Sequence, residues 1–252
     1  MNDKSEENTF VGHLSELRRR LVHSLIFIFI IFVLGYIFAE NIYNFLVEPY
    51  AKAVKDDGVS RRLIFTALHE TFITYLKVAF FSAIFLGSPI FLVQIWKFVA
   101  PGLYKNEKKA FLPFLVATPI LFFAGGSLVY FFIAPIAWNF FLSYQNMSSS
   151  GVPIRLEAKM GEYLSLMMRF IFAFGLAFQL PVVLGLMAKV GIVTYQSLKK
   201  FRKYAIVIAF LSAAFLTPPD PFSQISLALP IIILYEISIY IAKIIQKNKK
   251  DD

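Results

Sequence analysis

Between Leu21 and Ala39 the chain is apolar except for His23 and Ser24, and comparable runs recur at 72–96, 111–134, 163–188, 204–216 and 222–242. A helix needs roughly 20 residues, at about 1.5 Å each, to cross a hydrocarbon core of about 30 Å. The first four runs meet that length. The fifth has 13 residues before Thr217-Pro218-Pro219-Asp220-Pro221, where prolines remove amide donors and end the helix. Thirteen residues cover about 20 Å, so this hairpin either thins the bilayer or carries its proline-rich turn below the surface. The sixth run contains Pro230 and Glu236, which shortens its uncharged part. The pattern predicts an all-α polytopic membrane protein: one integral-membrane domain over 1–252, six transmembrane helices with the fifth and sixth short, and polar tails at 1–20 and 243–252.

Composition agrees. Of 252 residues, 58% are hydrophobic and 16% charged, whereas soluble domains carry about 45–50% and about 25%. No cysteine is present, which excludes disulfides, thiolate metal sites and a cysteine nucleophile. The net charge of +9 points to membrane topology rather than to nucleic acid, because Lys and Arg concentrate on one face. They occupy the N-terminal segment (Lys4, Arg18, Arg19, Arg20), the second connection (Lys97, Lys105, Lys108, Lys109), the fourth (Lys189, Lys199, Lys200, Arg202, Lys203) and the C-terminus (Lys247, Lys249, Lys250). The first connection mixes cations with Glu40, Glu48, Asp56, Asp57 and Glu70, and the fifth has only Asp220. Basic loops stay cytoplasmic, so both termini are expected in the cytoplasm, and an even number of spans agrees by putting them on the same side. The run after Arg20 exceeds a signal-peptide core and lacks a small-residue cleavage site, so a retained first helix is expected. The two long outer connections, near 40–71 and 135–162, are expected to form an exterior cap.

Catalysis finds little support. His13, His23 and His69 fall on two faces, with no His-Glu-x-x-His run, no phosphate-binding glycine loop and no other metal or cofactor motif. A solute or ion transporter is the alternative, but it calls for internal repeats and polar groups converging at the midplane. No repeat is visible, and the third span offers only Gly125-Gly126-Ser127.

The expected cytoplasmic face has few acids outside the tails. Glu16 precedes Arg19 and Arg20 by three and four residues, an ordinary helical pairing. Glu107 follows Asn106 at the start of the third span, where an acid suits the helix dipole. The functional reading is that the two carboxylates, set in a basic surround, receive guanidinium groups, whose planar fork a carboxylate binds through two parallel hydrogen bonds. Phe98, Leu103 and Tyr104 add apolar surface near Glu107. Deeper lie Lys77 and Arg169, each about 10 Å from the outer end of its span and able to snorkel outward. Gln179 either mends the kink at Pro181 or meets a polar residue of an incoming helix. Glu236 is either a neutral carboxyl or the partner of a cation.

Five motifs in one order make the chain resemble the TatC family of the twin-arginine, Sec-independent protein translocase. They are His13-Leu14-Ser15-Glu16-Leu17-Arg18, Pro49, the run from Gln94 to Glu107, the run from Phe174 to Pro181, and the run from Leu216 to Gln224. The resemblance implies a concave six-helix receptor in the bacterial cytoplasmic (inner) membrane, with both ends in the cytoplasm and no enzymatic activity. It implies that Glu16 and Glu107, with Arg18 beside the first and Phe98 and Tyr104 nearby, bind the paired arginines of export signals on folded cargo. Gln179 then lies where a partner subunit's helix touches the concave face, and Pro49 and Asp220 match sensitive outer-side positions. Many relatives carry glutamate where this chain has Gln179. Arg169 matches no family motif. The implied partners are single-span TatA- and TatB-type subunits, twin-arginine signal peptides, the lipid bilayer and further copies of the chain, with the proton gradient as energy source.

Overall fold

The computed structural model describes residues 3–55, 63–103, 108–144, 156–216 and 220–251, and their regular elements are helices, with one isolated strand-like bridge. In chain order the helices are α1 (Asp3–Ile37), α2 (Ala39–Lys55), α3 (Glu70–Leu103), α4 (Lys108–Leu128), a π-helical turn (Val129–Ile133), α5 (Ala134–Ser143), α6 (Met160–Ala177), α7 (Leu180–Val190), α8 (Tyr195–Leu216) and α9 (Pro221–Asp251).

Among the described residues five stretches are long and apolar enough to cross a membrane: Arg18–Ile37, Glu70–Trp96, Leu112–Ser143, Met160–Val190 and Ser223–Lys247. The sequence pattern predicts six. The difference is α8, whose first turns carry Lys199, Lys200, Arg202 and Lys203, so its apolar part begins only at Tyr204. Large apolar side chains point outward along the spans, including Leu25 at 70% exposed, Phe29 at 64% and Val207 at 64%. Such surface is unfavourable in water and natural in lipid. Hydroxyls within the helices return to their own backbone one turn earlier, as Ser24 does to Arg20, Ser82 to Val78, Thr118 to Phe114 and Ser238 to Leu234. These bonds satisfy polar atoms that lipid cannot.

Small residues set the closest approaches. α1 runs antiparallel to α3, with Gly35 against Ala79 and Ile28 against Gly87. α4 meets α6 where Gly125 faces the backbone of Phe174 and Gly175 faces the ring of Phe122. Phe122, Phe170, Phe174, Leu164 and Met167, all but inaccessible, fill the core beside this crossing. A second cluster, Ala188, Leu198, Ile239 and Ala242, joins α7, α8 and α9.

At the other end of the bundle the first connection contains α2, an amphipathic helix that sequence reading left inside a loop. Leu46, Tyr50, Ala53 and Val54, at helical spacing, are its buried stripe. Pro49 sits buried inside α2 and lacks the amide that would reach the carbonyl of Phe45. The Tyr130 hydroxyl of the π-helical turn donates to that carbonyl at 2.9 Å, and the Tyr163 hydroxyl of α6 donates to the next one, Leu46, also at 2.9 Å. Beside them the Ile64 amide donates to the Ala158 carbonyl at 3.1 Å, and the Met160 amide to the Ile64 carbonyl at 2.9 Å. The two long connections are thus clipped together through their backbones.

Candidate functional site

Glu16 and Arg18 lie on α1, the latter exposed, and Phe98 lies on α3; the side chains of Glu16 and Phe98, and Tyr104 and Glu107 altogether, fall outside the described residues. What the backbone supplies is register. Gly35 opposes Ala79 and Ile28 opposes Gly87, and continuing that antiparallel pairing along the two helices brings the level of Glu16 to that of Phe98. Glu107 lies past the C-terminal end of α3. The basic start of α1 and the C-terminal end of α3 therefore belong to one end of the bundle.

Gln179 sits in the break between α6 and α7. The run 163–188 is not one uninterrupted helix: Phe178 and Gln179 form a turn, and Gln179 donates its amide to the Leu176 carbonyl rather than one residue further back. Pro181 falls in the first turn of α7, where a missing amide costs nothing. The Gln179 side chain is 5% exposed, and its Nε2 donates to the Thr118 carbonyl of α4 at 3.0 Å. Because a carbonyl can only accept, that contact fixes which amide atom is nitrogen. The Oε1 atom has no hydrogen-bond partner among the described residues. Gln179 mends its kink by reaching across to a neighbouring helix, and its second amide atom is buried without a partner among the described residues.

Pro49 and Asp220 both shape helices. Pro49 opens the α2 carbonyl that Tyr130 fills. Asp220 caps α9: its Oδ1 accepts the Ser223 amide at 2.7 Å, with Pro221 at the first helical position. Gln224 then bridges to α8, donating from Nε2 to the Phe210 carbonyl at 3.2 Å. Glu236 has a cation partner, Arg202 of α8, whose Nη2 donates to Oε2 at 2.8 Å while Nε lies 2.5 Å from Oε1. The residue before Glu236, Tyr235, donates its hydroxyl to the carbonyl of Leu198, one turn before Arg202, at 2.8 Å. Sequence reasoning missed Arg202, Thr118, Tyr130 and Tyr163 as partners. The tyrosines were the available clue, since a hydroxyl within an apolar run must find an acceptor.

Small-residue helix crossings, outward-facing apolar surface and polar groups satisfied by backbone define a multi-pass helical membrane protein. A family model described as "Sec-independent protein translocase protein (TatC)" matches residues 12–230. A Magnetococcus marinus protein named Sec-independent protein translocase protein TatC is 46% identical over 99% of this chain and 89% of its own length. The Escherichia coli K12 protein of that name is 35% identical over 92% of this chain and 87% of its own. Two crystal structures of the twin-arginine translocase receptor TatC superpose with TM-scores of 0.79 and 0.80, at 35% and 34% identity, covering 90% and 93% of this chain and 98% and 99% of theirs. The chain belongs to the TatC family, whose members are components of a bacterial protein translocase and not catalysts.

Proposed function

We propose that this chain is the signal-peptide receptor of a twin-arginine translocase and carries out no chemistry of its own. The observation that carries the reading is the fold match over nearly the whole chain to solved twin-arginine translocase receptors. In this reading the chain crosses the cytoplasmic membrane six times, with α8 as the short fifth span and both termini in the cytoplasm. The end holding Arg18 and the α3–α4 connection then faces the cytoplasm, and α2 faces outward.

Glu16 and Glu107 receive the paired guanidinium groups of an export signal, with Arg18, Phe98 and Tyr104 around them. The antiparallel register of α1 and α3 supports this, because it brings the start of α1 level with the C-terminal part of α3, the helix that Glu107 follows in the sequence. Contact of Gln179 with a partner's membrane helix follows the family resemblance, and it requires the surrounding helices to part, because the unpaired Oε1 is buried. TatA- and TatB-type single-span subunits are the proposed partners, further copies of the chain complete the receptor complex, and the proton gradient drives transport of folded cargo. An amide does not titrate, so Gln179 takes no part in moving protons.

The test compares binding of a twin-arginine signal peptide with that of its twin-lysine counterpart to purified protein. Glu107→Ala and Glu16→Ala are each expected to weaken arginine-peptide binding at least tenfold, about 1.4 kcal/mol, and to narrow the preference for arginine. Unchanged affinity in both variants, or photocrosslinks from the peptide only to residues near α2, refutes the receptor site.

A further inference from the structure

Lys77 and Arg169 stand apart from every other described charge in the spans. Lys77 is on α3 with Glu70 and Thr74 at helical spacing, and Arg169 is on α6 with Gly161 and Ser165 at helical spacing. The six line one cavity of about 540 Å³ between the two helices. Its acids are already engaged. Glu70 Oε2 accepts the Thr66 amide at 2.8 Å and the Ala67 amide at 3.4 Å, and its Oε1 accepts the Gly161 amide at 3.4 Å. Glu162, at the rim, pairs with Lys159 at 3.5 Å. The Ser165 hydroxyl returns to the Gly161 carbonyl at 2.6 Å, and His69 is exposed at the mouth. Lys77 lies about 10 Å along α3 from Glu70, two helical turns further in. Neither Lys77 nor Arg169 forms an ion pair or hydrogen bond with another described residue.

Arg169 also borders a second cavity, of about 700 Å³, that runs between α6–α7 and α8–α9. Its walls are apolar, with Phe172, Leu176, Leu180, Ile208 and Ile231 among them. Two unpaired cations thus open onto a polar chamber at one side and, through Arg169, onto an oily groove at the other.

We propose that this pair of chambers binds a phospholipid, the phosphodiester anion on Lys77 and Arg169 and one acyl chain in the groove beyond Arg169. Basic pockets between membrane helices are suited to anionic headgroups, and both cations are exposed at the chamber, within reach of one. A free phosphate satisfies the cations but leaves the groove unfilled. A partner's helix that carries a carboxylate at the level of Arg169 is the competing occupant, and the test distinguishes it. An alkyl chain, a single file of methylenes, fits. The proposal rests on α3 and α6 being membrane spans, as in the reading above, but not on where signal peptides bind.

The test measures the lipid that stays with the full-length protein through gel filtration in detergent, after incubation with phosphatidylglycerol, with diacylglycerol, or with inorganic phosphate competing at equal concentration. Phosphatidylglycerol is expected to stay bound, diacylglycerol to wash away and inorganic phosphate not to displace the lipid. Lys77→Gln with Arg169→Gln is expected to lower retention at least tenfold, and Lys77→Arg with Arg169→Lys to keep it within about threefold. Ala173→Phe, which fills the groove while sparing both cations, is expected to lower retention as well, so the proposal is tested even if the doubly neutral variant misfolds. Retention that ignores the loss of both cations, displacement by inorganic phosphate, or displacement by a carboxylate-bearing single-span helix that crosslinks at position 169 overturns it. Twin-arginine peptide binding is measured on the same preparations. Its failure in the wild type counts against the receptor reading and leaves the lipid result standing.

Discussion

The hydroxyl of Tyr130 donates to the carbonyl of Phe45 at 2.9 Å, one turn before Pro49, and the two rings stack at 4.3 Å. A proline that breaks a helix ladder is here matched by a side chain from another helix. Tyr130→Phe keeps the stack and leaves the carbonyl unpaired, an expected cost of about 1–3 kcal/mol. Graded denaturation in detergent measures it. In Pro49→Ala, Tyr130→Phe should cost less, because the restored amide supplies the missing donor; equal costs in both backgrounds contradict the pairing.

Glu48 belongs to the same corner, and its pH response has a definite sign. The Lys52 ammonium, 2.8 Å away, and after it the Tyr130 hydroxyl hold the Glu48 carboxyl below the usual carboxylate range. A group whose folded pKa is lowered stabilises the fold above its unfolded value, about 4.3, and that contribution is lost as pH falls through the folded value. Glu48→Gln should therefore flatten the acid side of a stability-versus-pH curve and leave its slope near pH 8 unchanged. A curve that keeps its full acid slope argues against this assignment.

At Gly125 a Cβ atom would stand 2.5 Å from the Phe174 carbonyl oxygen and 2.8 Å from its carbon. Backbone cannot swing aside as a side-chain tip can, so α4 and α6 must separate. Gly125→Ala is expected to cost about 1–3 kcal/mol, and Gly125→Leu to prevent folding. Gly87→Ala, which meets the Ile28 side chain at 2.5 Å rather than backbone, should cost less. Folded yield after extraction orders the three.

Arg202 and Glu236 tie α8 to α9 through an ion pair in which each side chain is 42% exposed. Solvent screening at that exposure limits the pair to about 1 kcal/mol. A double-mutant cycle with Arg202→Gln and Glu236→Gln should show positive coupling of that order. Arg202→Lys should recover little of it, since an ammonium does not reproduce the fork. Additive single effects rule the pairing out.

Asp220→Ala removes the acceptor for the Ser223 amide and is expected to cost about 0.5–2 kcal/mol, with Asp220→Asn retaining most of the stability. Hydrogen exchange at the first turn of α9 localises the effect. Exchange that quickens equally throughout α9 points instead to a global change.

The spans were legible because lipid imposes one rule on every residue of a crossing helix. Leu21 to Ala39 could be read as a helix without knowing its neighbours. The α2 stripe of Leu46, Tyr50, Ala53 and Val54 was equally present in the sequence, but its charged face and Pro49 made the segment look like a loop. Contacts between distant residues were not legible: Glu236 could not announce Arg202, nor Gln179 its acceptor on α4, because nothing local encodes which helix will lie alongside. The proposed two-carboxylate site was legible only as residue types, since Glu16 lies on α1 and Glu107 falls outside the described residues.

The backbone clip between Ile64 and the segment from Ala158 to Met160 bears on assembly. Its two halves are separated by the whole of α3, α4 and α5, so neither can close until all three helices are in place. Bringing such distant segments together costs loop entropy that the earlier packing must already have offset. The clip therefore closes only after α3, α4 and α5 have packed. Protection of the Ile64 and Met160 amides during synthesis would mark when those three helices have come to rest.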